Sequence, residues 1–345
     1  MFPNKNIKNF LNYWLGPIIF IWLAWSIYRQ VTRQPDLGGS WSNILQAISG
    51  EQGWKCWLAL LLVVVNWGLE AIKWKELVGR VTRISFLRAF VATLAGVSFA
   101  VNTPNRIGEY GGRVLYLPEG KRLEAVSLTL IGSFAQLLVT LLMGAAGLWI
   151  WQAGWFYGQD ATIPAPYLSY NWLLKAMTWL ITALAIGGFL FYIRISWLVR
   201  WVEKVPAMAK WGKPVWVLDN LPVTILLRVF GWSLVRYLVF IFQYILLLQS
   251  LQVTGNWWMA FWLTALQFLV LAIIPTIALA ELGLRGKLSL ELFGWISSNA
   301  LGILATTVSI WLLNLIIPAI IGSILIIRVK VFDPVKTEGV GQGSP

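Results

Sequence analysis

The chain has 345 residues, of which 58% are hydrophobic and 12% charged, and it carries a net charge of +13 and 23 Trp. This composition excludes a soluble globular protein and indicates a polytopic membrane protein. The excess of Lys and Arg does not indicate nucleic acid binding, because these residues are grouped in a few loops between apolar segments, as topology signals and contacts to anionic lipids are. With no His and a single Cys, the sequence predicts no metal site and no cofactor.

The first predicted element is an apolar segment of about residues 11–28. It is followed by Arg29 and Arg33 and has no convincing cleavage site, which favours a retained span over a secretion signal. A polar loop completes this N-terminal region, residues 1–54. A second span is predicted from about residue 54 to residue 74, and the basic loop after it is predicted to be cytoplasmic. The charges counted in that loop are Lys73, Lys75, Arg80, Arg83 and Arg88.

The next apolar run, residues 89–102, is interrupted by Thr103 and Pro104 after about fourteen residues. At about 1.5 Å per residue it reaches only about two thirds of the way across a hydrocarbon core of about 30 Å. We therefore predict a re-entrant half-helix, broken at Pro104. Gly108 belongs to the helix break. Gly111 and Gly112, and Gly283 later in the chain, would let another backbone or a bulky ligand approach closely.

Five apolar segments complete the predicted topology. Full spans are predicted at about residues 125–151, 172–193 and 224–251, and a second short element at 258–274 is broken at Pro275 and followed by Gly283. The last apolar segment, 294–327, fits either one long helix or two shorter helices. The fold class is therefore all-α, with about six full spans and two re-entrant elements. The Lys and Arg distribution predicts a multi-pass protein of the inner, cytoplasmic membrane, with both termini and a disordered tail, residues 331–345, in the cytoplasm.

The two short elements share a pattern. In each, an Ala-Phe pair is followed at the same interval by the proline, and then by Glu-x-Gly-x-Arg, at residues 109–113 and 281–285. Because three predicted spans separate the two elements, they enter from opposite sides. The sequence thus predicts an inverted-topology repeat, near residues 89–151 and 260–327, within a transmembrane domain of residues 55–330. Coincidence between two Pro- and Gly-broken segments is the alternative.

Charged residues inside the membrane are the candidate site. The Glu109–Arg113 and Glu281–Arg285 spacings favour intrahelical ion pairs, and a helical segment 104–117 would place Arg106 on the face of the first pair. Arg236, near the middle of its span, requires a carboxylate, a cavity or an anionic ligand, and the carboxylates considered for it are Glu109 and Glu281. The predicted substrate-binding residues are Arg106, Glu109, Arg113, Arg236, Glu281 and Arg285.

Four arginines against two glutamates would leave a positive cavity suited to phosphate, which the arginine fork binds well. The alternative is that these charges pair with one another and only stabilise the bundle. Glu70, with Asn66 one turn earlier, is a weaker candidate of the same kind. Arg228 is predicted to reach the inner surface, and the remaining buried amides are predicted to form interhelical hydrogen bonds: Gln136, Gln243, Gln267, Asn299 and Asn314.

The turn Thr103-Pro104-Asn105-Arg106-Ile107-Gly108-Glu109 resembles the flippase-like membrane protein family that includes the transmembrane region of lysylphosphatidylglycerol synthases. The resemblance covers about residues 55–330 and rests on the Pro-x-Arg-x-Gly-Glu turn and a second, late Pro/Gly motif. That late motif departs from the glycine-rich form of the family, because residues 277–280 contain no glycine. The resemblance implies a protein that moves or handles polar-headed lipids, and the synthase domain is expected to be absent.

Three functions remain open at this point. The first is a lipid flippase or transporter that binds an anionic or lipid-linked phosphate headgroup and is not an enzyme. The second is a membrane enzyme acting on a lipid-linked phosphate or sugar, with Glu109 or Glu281 as base. The third is a scaffold for a lipid-modifying partner. The particular lipid and the oligomeric state do not follow from the sequence.

Overall fold

The structure is a computed structural model that describes residues 25, 45–47, 49–101, 103, 106–154, 171–197, 199–200, 216–219, 221–274 and 278–327. The predicted span at 11–28, both prolines at the predicted breaks, the side chain of Glu281 and the predicted tail lie outside the described residues. Within the described ranges the regular structure is helical and contains no strand.

The helices are α1 (Gly53–Val78), α2 (Phe86–Ala100), α3 (Gly108–Val114), α4 (Arg122–Gln152), α5 (Asn171–Ile193), α6 (Val223–Ser250), α7 (Trp257–Ile273), α8 (Ala278–Phe293) and α9 (Ala300–Ile326). Five of them, α1, α4, α5, α6 and α9, are long and apolar enough to cross a membrane. They coincide with five of the six predicted spans, and the sixth lies outside the described residues. The protein is therefore an all-α polytopic membrane protein.

The two predicted half-helices are short in the structure as well. Helix α2 has 15 residues and α7 has 17, so at about 1.5 Å per residue neither matches a core of about 30 Å. Each is followed by a second helix that packs against it: α3 follows α2, and α8 follows α7.

Glycines allow α2 and α3 to lie in close contact. A Cβ atom added to Gly112 would lie 2.8 Å from Cα of Gly96 and 2.7 Å from the ring of Phe99. A Cβ atom added to Gly108 would lie 2.5 Å from the carbonyl oxygen of Phe99. At Gly111 and Gly283, by contrast, an added Cβ meets no atom of the described chain within 4 Å, so no described backbone makes the close approach predicted there.

Each short helix packs against a long helix that belongs to the other half of the chain. Helix α2 lies on the last part of α9, where the Ser98 hydroxyl donates a hydrogen bond of 2.7 Å to the Ala319 carbonyl. Helix α7 lies on α4, with Leu269 directly over Gly144. Helices α1 and α6 pack along each other between these pairs, joined by a hydrogen bond from Gln243 to the Ala59 carbonyl.

Helix α9 is one continuous element rather than two helices. Its middle, Leu312–Ile316, widens into a π-helical turn. Pro318 follows at once, and because proline has no N–H, it cannot donate to the Asn314 carbonyl as an α-helical residue would. The widened turn leaves the Asn314 side chain buried between α1 and α6, where it donates to Gln243 at 2.9 Å and accepts from Asn66 at 3.0 Å.

Candidate functional site

Glu70, on α1, is the centre of a buried charge cluster formed by Glu70, Lys73, Glu109, Arg113 and Arg236. One carboxylate oxygen accepts from Arg113 at 2.9 Å. The other lies 2.7 Å from Nζ of Lys73 and 3.3 Å from Nη1 of Arg236. The Glu70 side chain is 7% exposed, so these three cations supply the stabilisation that water would otherwise give its charge.

Arg113 joins this cluster to the α2–α3 hairpin. Its guanidinium contacts Glu70 on one side and Glu109 on the other, so the predicted Glu109–Arg113 pair forms with the i,i+4 spacing. The contact between α2 and α3 at Gly96 and Gly112 brings this pair against α1. With three cations and two carboxylates, the described cluster carries a net positive charge of one.

The buried position of Lys73 shows that the second span continues further than predicted. The sequence analysis counted it among the cytoplasmic loop charges, but α1 continues to Val78 and the Lys73 side chain is 3% exposed. It is bound by Glu70 and donates to the Gly132 carbonyl at 3.4 Å. Asn66, Glu70 and Lys73 are separated by four and three residues, so they lie on one helix face. This spacing was the available signal for the buried position of Lys73.

Arg106 does not share a helix face with Glu109 and Arg113, because α3 begins only at Gly108. Arg106 precedes the helix with a φ of 60°, in the left-handed region that non-glycine residues rarely adopt. The Arg106 side chain is exposed, and it lines a cavity rather than the buried charge cluster.

We call this cavity the large cavity, and its volume is about 530 Å³. Its walls include three arginines from three separate parts of the chain, Arg106, Arg236 and Arg285, and the neutral polar residues Asn66, Gln136, Thr140 and Tyr237. Arg236, Gln136 and Asn66 each lie near the middle of a spanning helix, so the cavity is at mid-depth of the bundle. Its apolar wall is the end of α7, Leu271 to Ile274, together with Phe240 and Phe268.

Arg236 belongs to both the large cavity and the buried charge cluster. Besides Glu70, it donates to Oε1 of Gln136 at 3.3 Å, and its guanidinium lies 5.4 Å from the ring centre of Trp67. Its carboxylate partner is Glu70, not Glu109 as the sequence analysis considered. The sequence analysis gave Glu70 only as a weaker candidate, because two of its three cationic partners, Arg113 and Arg236, come from other helices.

Five of the six predicted substrate-binding residues therefore fall into two groups. Arg106, Arg236 and Arg285 meet at the large cavity. Glu109 and Arg113 lie in the buried charge cluster, joined to the cavity through Glu70 and Arg236. The Glu281 side chain is outside the described residues.

The other amide side chains form the predicted kind of contact. Gln243 and Asn314 bind each other, Gln267 donates to Ser289 at 2.7 Å, and Asn299 donates to the Leu251 carbonyl at 3.0 Å. These contacts confirm the predicted interhelical hydrogen bonds. Gln136 forms one too, to Arg236, but also lines the large cavity. Arg228 is exposed and binds Glu76 at 2.7 Å.

Fold and site together define a polytopic α-helical membrane protein with an arginine-lined cavity between its spans. No known protein family, no curated protein and no solved structure matches the chain. Its function therefore has to be inferred from the chemistry of this cavity.

Proposed function

We propose that the protein is a lipid transporter of the flippase type that binds an anionic, phosphate-bearing headgroup in the large cavity. The observation that carries the proposal is the composition of its wall, in which three arginines and no carboxylate are found among the described residues. Arginine stays charged and binds phosphate oxygens with two parallel hydrogen bonds. Arg236 already has Glu70 as a buried partner, and together the three arginines give the cavity a positively charged wall that favours an anionic ligand.

The position of Arg236 supports transport rather than static binding. The Arg236 guanidinium lies 3.3 Å from the Glu70 carboxylate. Lys73 and Arg113 lie closer to that carboxylate, at 2.7 and 2.9 Å. A phosphate in the cavity can therefore compete for Arg236 without leaving Glu70 unpaired. Binding would then loosen a contact between α1 and α6, which is a direct way to couple ligand binding to movement of the helices.

We also propose that the two halves form an inverted-topology repeat, with both termini in the cytoplasm. The order of a span, a short hairpin and a second span occurs twice, as α1, α2–α3, α4 and as α6, α7–α8, α9. The packing is reciprocal, because α2 lies on α9 and α7 lies on α4. In transporters with such repeats the substrate binds at mid-depth, between broken helices, which is where the large cavity lies.

The enzyme alternative is less well supported. Glu109, one of its two candidate bases, is bound to Arg113 and is not a wall residue of the large cavity. A general base has to reach the proton it abstracts, at about 2.6–3.2 Å. A scaffold role leaves the three wall arginines without a purpose.

The proposal is tested with purified protein in vesicles that contain fluorescent phosphatidylglycerol, by measuring the fraction of dye accessible to an external quencher over time. We compare wild type with Arg236→Gln and the matched control Arg228→Gln. Both arginines lie on α6, but Arg228 is bound to Glu76 at the surface, outside the cavity.

We expect wild type and Arg228→Gln to exchange the lipid between leaflets and Arg236→Gln to lose most of this activity. Equal exchange by all three proteins would reject the cavity as the route. No exchange by wild type, combined with turnover of a lipid-linked phosphate donor, would favour the enzyme instead.

A further inference from the structure

A second, smaller space adjoins the large cavity. This small cavity has a volume of about 60 Å³ and shares Arg106, Arg236 and Arg285 with the large cavity, while Trp67, Trp311 and Asn314 complete its wall. One water requires about 10–15 Å³ on this scale, so the space admits a group of about five heavy atoms. A phosphate group has that size.

The wall of the small cavity carries hydrogen-bond donors that have no acceptor. The indole N–H groups of Trp67 and Trp311 and Nε of Arg236 are buried, and none has a partner among the described residues. All three can only donate. Buried donors are rarely left unpaired, and three residues that line this one small space each carry such a donor, which favours a ligand that supplies several acceptors.

The acceptor on the same wall is already used. Oδ1 of Asn314 accepts from Asn66, and the Asn314 amide group donates to Gln243 and to the Ile310 carbonyl. The π-helical turn of α9 holds Asn314 in this arrangement. The small cavity therefore offers positive charge and free N–H groups, which suits phosphate oxygens.

The large cavity differs in its free groups. Oδ1 of Asn66 and the hydroxyl of Tyr237 are buried and without a partner in the described part of the chain, and both residues line that cavity. Both groups can accept a hydrogen bond, so they suit the hydroxyls of a headgroup. A quaternary ammonium would instead face three arginines.

We propose that the small cavity binds the phosphate group of the ligand, and that the large cavity takes a hydroxylated, uncharged part of the same headgroup. This inference rests on the proposed function and names its substrate class: lipids with a phosphomonoester or a phosphate bearing a polyol, in preference to zwitterionic lipids. Trp67 and Trp311 are the neutral donors of this site, and the three shared arginines are its charged donors.

The experiment is a calorimetric titration of the full-length protein in detergent with dioleoyl phosphatidic acid, dioleoyl phosphatidylcholine and inorganic phosphate. The test variant is Trp311→Phe, with Trp67→Phe as a second. The matched control is Trp262→Phe, because the Trp262 N–H is also buried and unpaired within the described residues but lines neither cavity. Each variant removes an unpaired donor and keeps an aromatic ring in a buried position, so the loss of volume is similar in all three, and thermal unfolding in detergent checks that each is folded.

We expect Trp311→Phe to weaken binding of phosphatidic acid about tenfold, as loss of one hydrogen bond to a charged group does, and Trp262→Phe to leave it within twofold. Phosphatidylcholine should bind wild type at least tenfold more weakly than phosphatidic acid. Equal binding of phosphatidic acid by wild type and Trp311→Phe would overturn the phosphate site while leaving a lipid transporter possible.

The titration with inorganic phosphate distinguishes the proposed phosphate site from the proposed lipid transport. If wild type binds inorganic phosphate but not phosphatidic acid, and Trp311→Phe weakens it, the phosphate site stands and the lipid function fails. If wild type binds neither compound, both proposals are rejected.

Discussion

Substitution of Arg106 can distinguish a role in ligand binding from a role in folding, because the two roles predict opposite effects on stability and on binding. Its φ of 60° costs an ordinary residue about 1–2 kcal/mol, and glycine avoids that cost. Glycine in turn loses more backbone entropy on folding, about 0.5–1 kcal/mol. The substitution Arg106→Gly should therefore leave the stability of the protein unchanged or raise it by up to about 1.5 kcal/mol.

The same substitution removes a positive charge from both cavities. A hydrogen bond to a charged group is worth about 1.5–3 kcal/mol, so binding of phosphatidic acid should weaken by about tenfold or more. The assays are thermal unfolding in detergent, followed by Trp fluorescence, and calorimetric titration with the lipid. Arg106→Ala is the control, because it removes the same charge but keeps the strained backbone and so should bind poorly without any gain in stability.

The reasoning is refuted if Arg106→Gly binds the lipid as wild type does and unfolds at a lower temperature. That result would mean that the arginine is kept at this strained position for packing. A strained residue that is costly for folding but required for binding is the pattern expected of a functional site.

Two further predictions concern stability and are each paired with a control on the same element or of the same type. Glu70→Gln should destabilise the protein by about 3–5 kcal/mol, because two arginines and a lysine lose their shared buried carboxylate, whereas Glu124→Gln removes only an exposed pair and should cost less than about 1 kcal/mol in the same unfolding assay. Equal losses would show that the buried charge cluster contributes nothing special. Gly112→Ala should destabilise by about 1–3 kcal/mol, because its Cβ would meet Gly96, while the neighbouring Gly111→Ala should be neutral or stabilising by up to about 1 kcal/mol, since its Cβ meets no described atom within 4 Å. Effects of the same sign at both glycines would contradict the described α2–α3 contact.

The sequence alone determined the lengths and types of the elements. Five of the predicted spans match helices whose ends differ by six residues or fewer from the predicted ends, and α2 and α7 are short as expected. These features follow from local quantities, since an apolar run and a rise of about 1.5 Å per residue decide whether a helix can cross a bilayer. The Glu109–Arg113 pair was equally local, because its spacing lies within one helix.

Only the tertiary structure decided which charges meet. Glu70 became the centre of the buried charge cluster because α2–α3 and α6 bring Arg113 and Arg236 against α1, and no periodicity within α1 specifies those neighbours. Lys73 reads as a loop charge beside Lys75 and Arg80, yet it is buried. Arg106 was separated from Glu109 by the point at which α3 begins. Helix lengths are set by neighbours along the chain, whereas a buried ion pair is set by helices that approach from distant parts of it.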